Sequence, residues 1–259
     1  MDDPPAMHVS LRRRTLLQAA ATAALLPLSV PVRPQAPPRV VIVATSHGDA
    51  PGGRQTGAWL PEVTGPYWIF RDAGCAVDIG TIRGEAPPID PRSGSERALP
   101  GLLRNDEAAL QAFHEAVCLD CVDGRRYDAV FLAGGRGALW DFPTSGSLRA
   151  LLEHAALARK PIGAVSHGPA GLLGAQVEGR PLAAGRRIAC FTDEEEARAN
   201  WIDHLPFSLE RRLQAEGATV QPAGANQAHV VRDGRIVTGQ NPASATASAR
   251  RLLETLKGA

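Results

Sequence analysis

Apolar residues recur along this chain in two rhythms. Short β-branched runs alternate with longer stretches in which apolar positions stand three and four apart. Arg39-Val-Val-Ile-Val-Ala-Thr45 is a continuous run of the first kind, as expected of a central parallel strand covered on both faces. Gly57 to Gly74 follows, with Trp59, Val63, Tyr67 and Phe70 spaced for one face of a helix. Pro61 fits its first turn, and Gly65-Pro66 is expected to kink or divide it. Cys75 to Ile82 reads as the next strand, and Arg83 to Leu102, rich in Pro, Gly and Ser, as an irregular excursion. A helix is expected from about Asp106 to Val117, a strand over Tyr127–Ala133 ending at Gly134-Gly135, and a helix over Ser147–Ala158. Ile162 to Val165 is a strand, Arg187 to Thr192 another, and Pro206 to Glu216 a helix. Ala228–Arg232 and Arg235–Thr238 flank Asp233-Gly234, a hairpin signal, and Pro242 opens a last helix that ends near Lys257-Gly258.

Strands alternating with helices imply right-handed crossovers and a parallel sheet covered on both sides. Reactive groups then gather at the carboxyl ends of the strands, near a switch in strand order. Gly134, Ser166 and Asp193 all follow predicted strand ends. Within Pro161-Ile-Gly-Ala-Val-Ser-His-Gly-Pro169 a short buried strand stops at Ser166, and a helix is expected to start around His167 to Gly168. Such a turn holds its residue up at the sheet edge, with helix N–H groups aimed at whatever it binds, and it is where α/β enzymes place a nucleophile.

At 259 residues and 44% hydrophobic, the chain can bury one substantial core. A net charge of +1 supplies no field to attract nucleic acid, and no basic stripe, repeat or low-complexity run is present. The N-terminus changes the picture. Ser10-Leu-Arg-Arg-Arg-Thr-Leu-Leu17 leads into the apolar run Gln18–Leu28 and then a proline-rich stretch, Pro31 to Pro38. A basic region before a modest apolar one reads as an export signal, too short and too weakly apolar to span a membrane as a mature helix. The paired arginines resemble the twin-arginine type, so a periplasmic location is expected, with the membrane met only through the signal. Pro34-Gln-Ala36 is a poor cleavage site, and Met7 is an alternative start. Residues 1–38 are therefore set apart as signal and linker, and 39–259 as a single domain. Cys118-x-x-Cys121 suits either a disulfide or half a metal site, but no second pair completes a zinc set, so neither metal nor cofactor is expected. Cys75 and Cys190 sit in strand-like runs, where a buried inert thiol is the expectation.

Four stretches carry a resemblance: Tyr127-Asp-Ala-Val-Phe-Leu-Ala-Gly-Gly-Arg-Gly-Ala-Leu-Trp-Asp-Phe-Pro143, Ala164-Val-Ser-His-Gly-Pro169, Phe191-Thr-Asp-Glu-Glu-Glu196 and Thr238-Gly-Gln-Asn-Pro-Ala-Ser244. Together with Thr56-Gly-Ala-Trp-Leu-Pro-Glu62 they resemble the ThiJ/PfpI family of the class I glutamine amidotransferase-like superfamily, nearest its glyoxalase III and stress-chaperone branch. The resemblance runs from Arg39 to Leu256. It implies an α/β, flavodoxin-like three-layer sandwich, a homodimer, and a small-molecule substrate. It also implies a nucleophile on a strand-to-helix elbow, the histidine after it, an acid from the next strand end and a glutamate from the first helix. Carried over, these fall on Ser166, His167, Glu196 (or Glu195) and Glu62, with Gly134 and Gly135 as oxyanion donors. Two departures stand out: the family's elbow residue is cysteine, and Arg136 occupies a position where relatives often carry histidine.

Each of these residues also has a plainer role open to it. Ser166 suits a helix cap, His167 a bond to backbone carbonyls, and Glu62 a solvated face. The acidic run suits a dipole-favoured helix start, and the glycine pair a turn. Three functions remain open. The first is an exported glyoxalase III- or deglycase-like enzyme acting on small dicarbonyls such as methylglyoxal to give D-lactate, weakened by the serine. The second is a serine hydrolase using Ser166, His167 and the acid. The third is a non-catalytic binding protein or holdase.

Overall fold

Strand β1 (Arg39–Ala44) organises the domain, because its residues alternate between two apolar layers. Val41 and Val43 enter one layer, Val40, Ile42 and Ala44 the other, and all five are fully buried. The structure is a computed structural model that describes residues 1–2 and 36–258, so the expected export signal falls almost wholly outside the described residues. The chain separates into a unit Met1–Gln35 and a unit Ala36–Ala259, and the second carries the sheet and its helices.

The other strands of its main sheet are β2 (Ala76–Thr81), β3 (Val117–Cys118), β4 (Ala129–Leu132), β5 (Ile162–Val165), β6 (Val230–Asp233) and β7 (Ile236–Gly239). They lie in the order β6-β7-β5-β4-β1-β2-β3. All pairings are parallel except the β6–β7 hairpin, whose turn carries Gly234 at φ 60°. Helices α1 (Leu60–Asp72), α2 (Glu107–His114) and α6 (Ala245–Lys257) cover one face, contributing Tyr67, Phe70, Phe113 and Leu252 to its core. Helices α3 (Gly146–Leu157) and α5 (Leu209–Ala215) cover the other, with Leu148, Leu152, Leu209 and Leu213. A short helix, α4 (Asp193–Arg198), stands at the carboxyl edge. The result is an α/β sandwich of the flavodoxin type. Strand order switches between β1 and β4, so a crevice opens where those strands end, beside β5.

Several expectations are corrected by packing. Helix α1 runs unbroken across Gly65-Pro66. Pro66 forfeits one intrahelical bond, to the Glu62 carbonyl, while Gly65 lets α6 approach closely at Thr246, so helix–helix contact offsets the loss. The expected Asp106–Val117 helix stops at His114, and Val117–Cys118 becomes the edge strand β3. The Pro206–Glu216 helix begins only at Leu209, capped by the Ser208 hydroxyl. The expected Arg187–Thr192 strand shrinks to Arg187–Ile188, paired with Thr219–Val220 outside the main sheet. From Ala189 onward its backbone is spent elsewhere: Ala189 N–H donates to Thr238 Oγ1 and Phe191 N–H to the Ser166 carbonyl, both at 2.9 Å. Cys118 and Cys121 are joined as a disulfide, while Cys75 and Cys190 are free and buried.

Candidate active site

The turn after β5 is tight, and its tightness has a cause. Ser166 adopts φ 59°, a left-handed conformation that costs a non-glycine residue about 1 kcal/mol. Two backbone bonds clamp it there: its N–H donates to the Gly239 carbonyl, and its own carbonyl accepts from Phe191 N–H, each at 2.9 Å. The chain then winds into a five-residue 3-10 turn, Gly168–Leu172, rather than the expected α-helix. A Cβ on Gly168 would strike the Leu132 carbonyl, so glycine is what lets the turn lie on β4. Ser166 does not cap this turn; its hydroxyl is turned instead to His167 Nδ1, 3.0 Å away. Glycine would fit this backbone without strain, so a side chain kept there points to a task for its hydroxyl.

His167 is 3% exposed and stacked on Phe191 with ring centroids 4.7 Å apart. Its Nε2 lies 2.7 Å from Glu196 Oε1. The tautomer that serves both contacts donates Nε2–H to Glu196 and leaves Nδ1 to accept the Ser166 proton. Burial pushes the imidazole pKa below its usual range, and the Arg136 charge adds to this against the pull of Glu196. Burial works to raise the Glu196 carboxyl, but its bonds to His167 and Arg136 outweigh that and hold it below the usual range. The resting state is therefore a neutral histidine beside an ionised carboxylate.

Glu62 enters from the first turn of α1 and is completely buried, so the solvated-face role is excluded. Burial pushes its pKa up to about 8, against the Ser166 hydroxyl, the Gly134 amide and the Arg136 charge, which act to lower it. The Ser166 and Gly134 groups lie close, yet neither oxygen of Glu62 has a partner in hydrogen-bond geometry among the described residues. Burial therefore favours the protonated form of this carboxyl at neutral pH. A Cβ on Gly134 would collide with the Glu62 carboxyl, with Ser166 Cβ and with the Val165 carbonyl. Glycine there is what allows α1, β4 and the elbow to meet. Gly135, at φ 109°, is pressed against Gly57–Trp59 in the same way.

The two neighbouring glutamates separate cleanly. Glu196 faces His167, whereas Glu195 turns away. Glu195 Oε2 accepts from the Thr192 amide and hydroxyl, and its Oε1 accepts from the Asn226 amide and Asn241 Nδ2. Thr192 and Glu195 form a reciprocal capping box for α4. The Thr192-x-x-Glu195 spacing was the sequence signal that could have resolved the pair.

Ser166, His167 and Glu195 face a cavity of about 410 Å3, with Glu62, Glu196 and Gly134 directly behind them. The sequence reading missed much of the wall: Trp59, Arg92, Phe191, Arg198 and Asn226 all line it. Arg136, which in the sequence stands out only as a departure from the family pattern, is 4% exposed and holds Glu196 through Nε at 2.8 Å and Nη2 at 2.7 Å. Arg92 comes from the irregular excursion, and a long structureless segment inside a compact domain is itself a functional signal.

Comparison with known proteins places this geometry in context. Residues 56–255 match the model of the DJ-1/PfpI family. The chain is 29% identical to glyoxalase 3 of Candida albicans, over 83% of this chain and 97% of that one. It is 30% identical to the glutathione-independent glyoxalase HSP31 of Saccharomyces cerevisiae, over 86% and 99%. Among solved structures, Rapid Encystment Protein 24 KDa of Francisella tularensis superposes with a TM-score of 0.80 at 32% identity, covering 85% of this chain and 99% of that one.

Proposed function

Because the chain belongs to the DJ-1/PfpI family and is related to glutathione-independent glyoxalases at about 30% identity, we propose that it is a glyoxalase III-type enzyme that uses a serine. The observation that carries this reading is the unbroken line Glu196–His167–Ser166 with a protonated Glu62 pressed behind the hydroxyl.

With methylglyoxal, the Ser166 hydroxyl adds to the aldehyde carbon as its proton passes to His167 Nδ1. Glu62 donates its proton to the aldehyde oxygen, which makes Glu62 a carboxylate beside a carbon that still bears hydrogen. That carboxylate takes the hydrogen as a proton and returns it to the neighbouring carbon, while the hydroxyl proton moves to the second oxygen. The product is lactate esterified on Ser166. The imidazolium then passes its proton back to Glu62, and the neutral His167 takes a proton from the attacking water and hands it to the departing Ser166 oxygen, which releases lactate and restores serine, histidine and Glu62. Serine is a poorer nucleophile than thiolate for the first step, because its hydroxyl needs His167 as base throughout. The test is D-lactate release from methylglyoxal by the purified protein, with Ser166→Ala and Glu62→Gln each expected to lower it by roughly a hundredfold or more. Absence of lactate from the unmodified protein would end this reading.

A serine hydrolase is the second reading, and the same hydrogen-bonded relay favours it. It calls for fluorophosphonate labelling of Ser166, lost in Ser166→Ala, strongly slowed in His167→Ala and less affected in Glu196→Gln. Labelling at another serine would remove the elbow as the reactive site.

A further inference from the structure

The cavity in front of Ser166 is larger and more cationic at its wall than a three-carbon dicarbonyl requires. Its volume of about 410 Å3 falls within the range of pockets that enclose whole metabolites. Among the described residues three arginines line it, Arg92, Arg136 and Arg198, and the carboxylates paired with them are not part of its lining. Asp90, fully buried, takes Arg92 Nε at 2.8 Å and its Nη2 as well. Glu196 takes Arg136 through Nε and Nη2, and Glu194 takes Arg198 through Nη2 at 2.6 Å. These contacts leave Nη1 of each arginine outside its ion pair. Among the described residues the one acid that lines the cavity is Glu195, whose two oxygens already accept four donors.

Two of the guanidinium groups, those of Arg92 and Arg136, are also held in place by stacking. Trp201, 4% exposed, is flanked by Arg92 at 4.2 Å and Arg136 at 4.9 Å from its ring centroid, with Arg54 at 5.5 Å on the outside. Stacking on an indole holds a guanidinium plane without using its N–H groups, so the Nη1 end that each ion pair leaves over is presented to a ligand at little cost in order. Planar forks of this kind match a carboxylate. Each guanidinium is already paired with one carboxylate, so the wall offers N–H donors more than excess charge, and this favours a single negative charge over a phosphate dianion.

We propose that the substrate of this site carries a carboxylate, bound by Arg92, Arg136 and Arg198, beside the adjacent aldehyde and ketone that the chemistry needs, so that the compound processed is an acid-bearing 2-oxoaldehyde larger than methylglyoxal. The proposal deepens, and rests on, the reading of this cavity as the substrate site of a carbonyl-processing enzyme. Phenylglyoxylate, a 2-oxo acid with no aldehyde hydrogen to lose, and its uncharged amide are the binding probes. Both are titrated calorimetrically into the full protein, and methylglyoxal turnover is measured on the same preparation. The acid is expected to bind at least roughly tenfold more tightly than the amide, the size of a charge-assisted contact. Arg92→Gln leaves Asp90 buried without its cation and can fail to fold, so Arg198→Gln, whose side chain is 63% exposed, is the second variant. The preference for the acid should fall at least about threefold in Arg198→Gln, and further in Arg92→Gln where it folds. Equal binding of acid and amide by the unmodified protein, or an undiminished preference in Arg198→Gln, overturns the proposal. Lactate release with no acid preference would refute the carboxylate subsite alone. Acid preference without lactate release would refute the glyoxalase reading and leave the subsite standing.

Discussion

Arg136 closes on Glu196 through Nε and Nη2, both to Oε2, and this leaves Oε1 free to meet His167 Nε2 at 2.7 Å. One buried carboxylate is thereby held between a permanent cation and the histidine it orients. The arginine is a positioning residue with two effects of known sign: it keeps Glu196 ionised, and its charge lowers the His167 pKa.

Arg136→Gln should therefore raise the His167 pKa and move the acidic limb of the pH–activity profile to higher pH. It should also cost about 3 kcal/mol of stability, because a buried charge loses its partner. A pH–rate profile and a urea titration of the same variant check both. A stability loss with an unmoved profile would mean that Arg136 only packs.

Ser166→Cys should raise turnover of methylglyoxal on the order of tenfold, equivalent to about 1.4 kcal/mol in the barrier. A thiol at the elbow ionises more readily than a hydroxyl, and Glu62 is already in place behind it. Steady-state kinetics decide the matter, and flat or falling activity would show that the pocket has left this chemistry.

The strain at the elbow can be isolated by comparing two silent variants. Ser166→Gly and Ser166→Ala both lose the hydroxyl, but only glycine accepts φ 59° freely. The glycine variant should be more stable than the alanine variant by about 1 kcal/mol in denaturant unfolding. Equal stabilities would mean that the surrounding structure absorbs the strain.

Glu62 makes stability depend on pH in a defined window. Its folded pKa of about 8 is raised from an ordinary value of 4.5, so its contribution is full below about 4.5 and is lost as pH rises through about 8. His167 has the opposite sense: its folded pKa is depressed, so its contribution is present above its unfolded value and lost as pH falls. Subtracting the profile of Glu62→Gln from that of the unmodified protein cancels the histidine and should leave a decline between about pH 5 and about pH 8. Urea unfolding at those two values measures it. A flat difference would place an ionised Glu62 in the resting site.

Export is tested without structural help. If residues 8–30 direct passage by the twin-arginine route, replacing Arg13 and Arg14 by lysine should leave the protein in the cytoplasm, as cell fractionation would show. Unchanged periplasmic recovery would count against the route.

The order of elements and the position of the elbow were legible in the sequence. The apolar runs at Arg39–Ala44 and Ile162–Val165 are local signals, and a strand buried on both faces declares itself by composition alone. The hairpin at Asp233-Gly234 is equally local. Alternation of strands and helices then leaves little freedom in topology, and it brings Gly134, Ser166 and the acidic helix to one edge of the sheet.

Tertiary structure decided what depends on partners distant in sequence. Pro66 sits inside an unbroken helix because α6 packs against it, and no local rule records that contact. Glu62 looks like a surface residue until Gly134 and Ser166 close over it, and only that burial gives it a raised pKa. Glu195 and Glu196 are adjacent in the chain but separated by about 100° around a helix, so one serves the helix cap and the other His167. The arginine wall is assembled from residues 92, 136 and 198, three segments with no pattern in common. Periodicity reports which side of an element is buried. Charge pairing and pKa depend on which groups come within a few ångströms, and that distance exists only once the chain is folded.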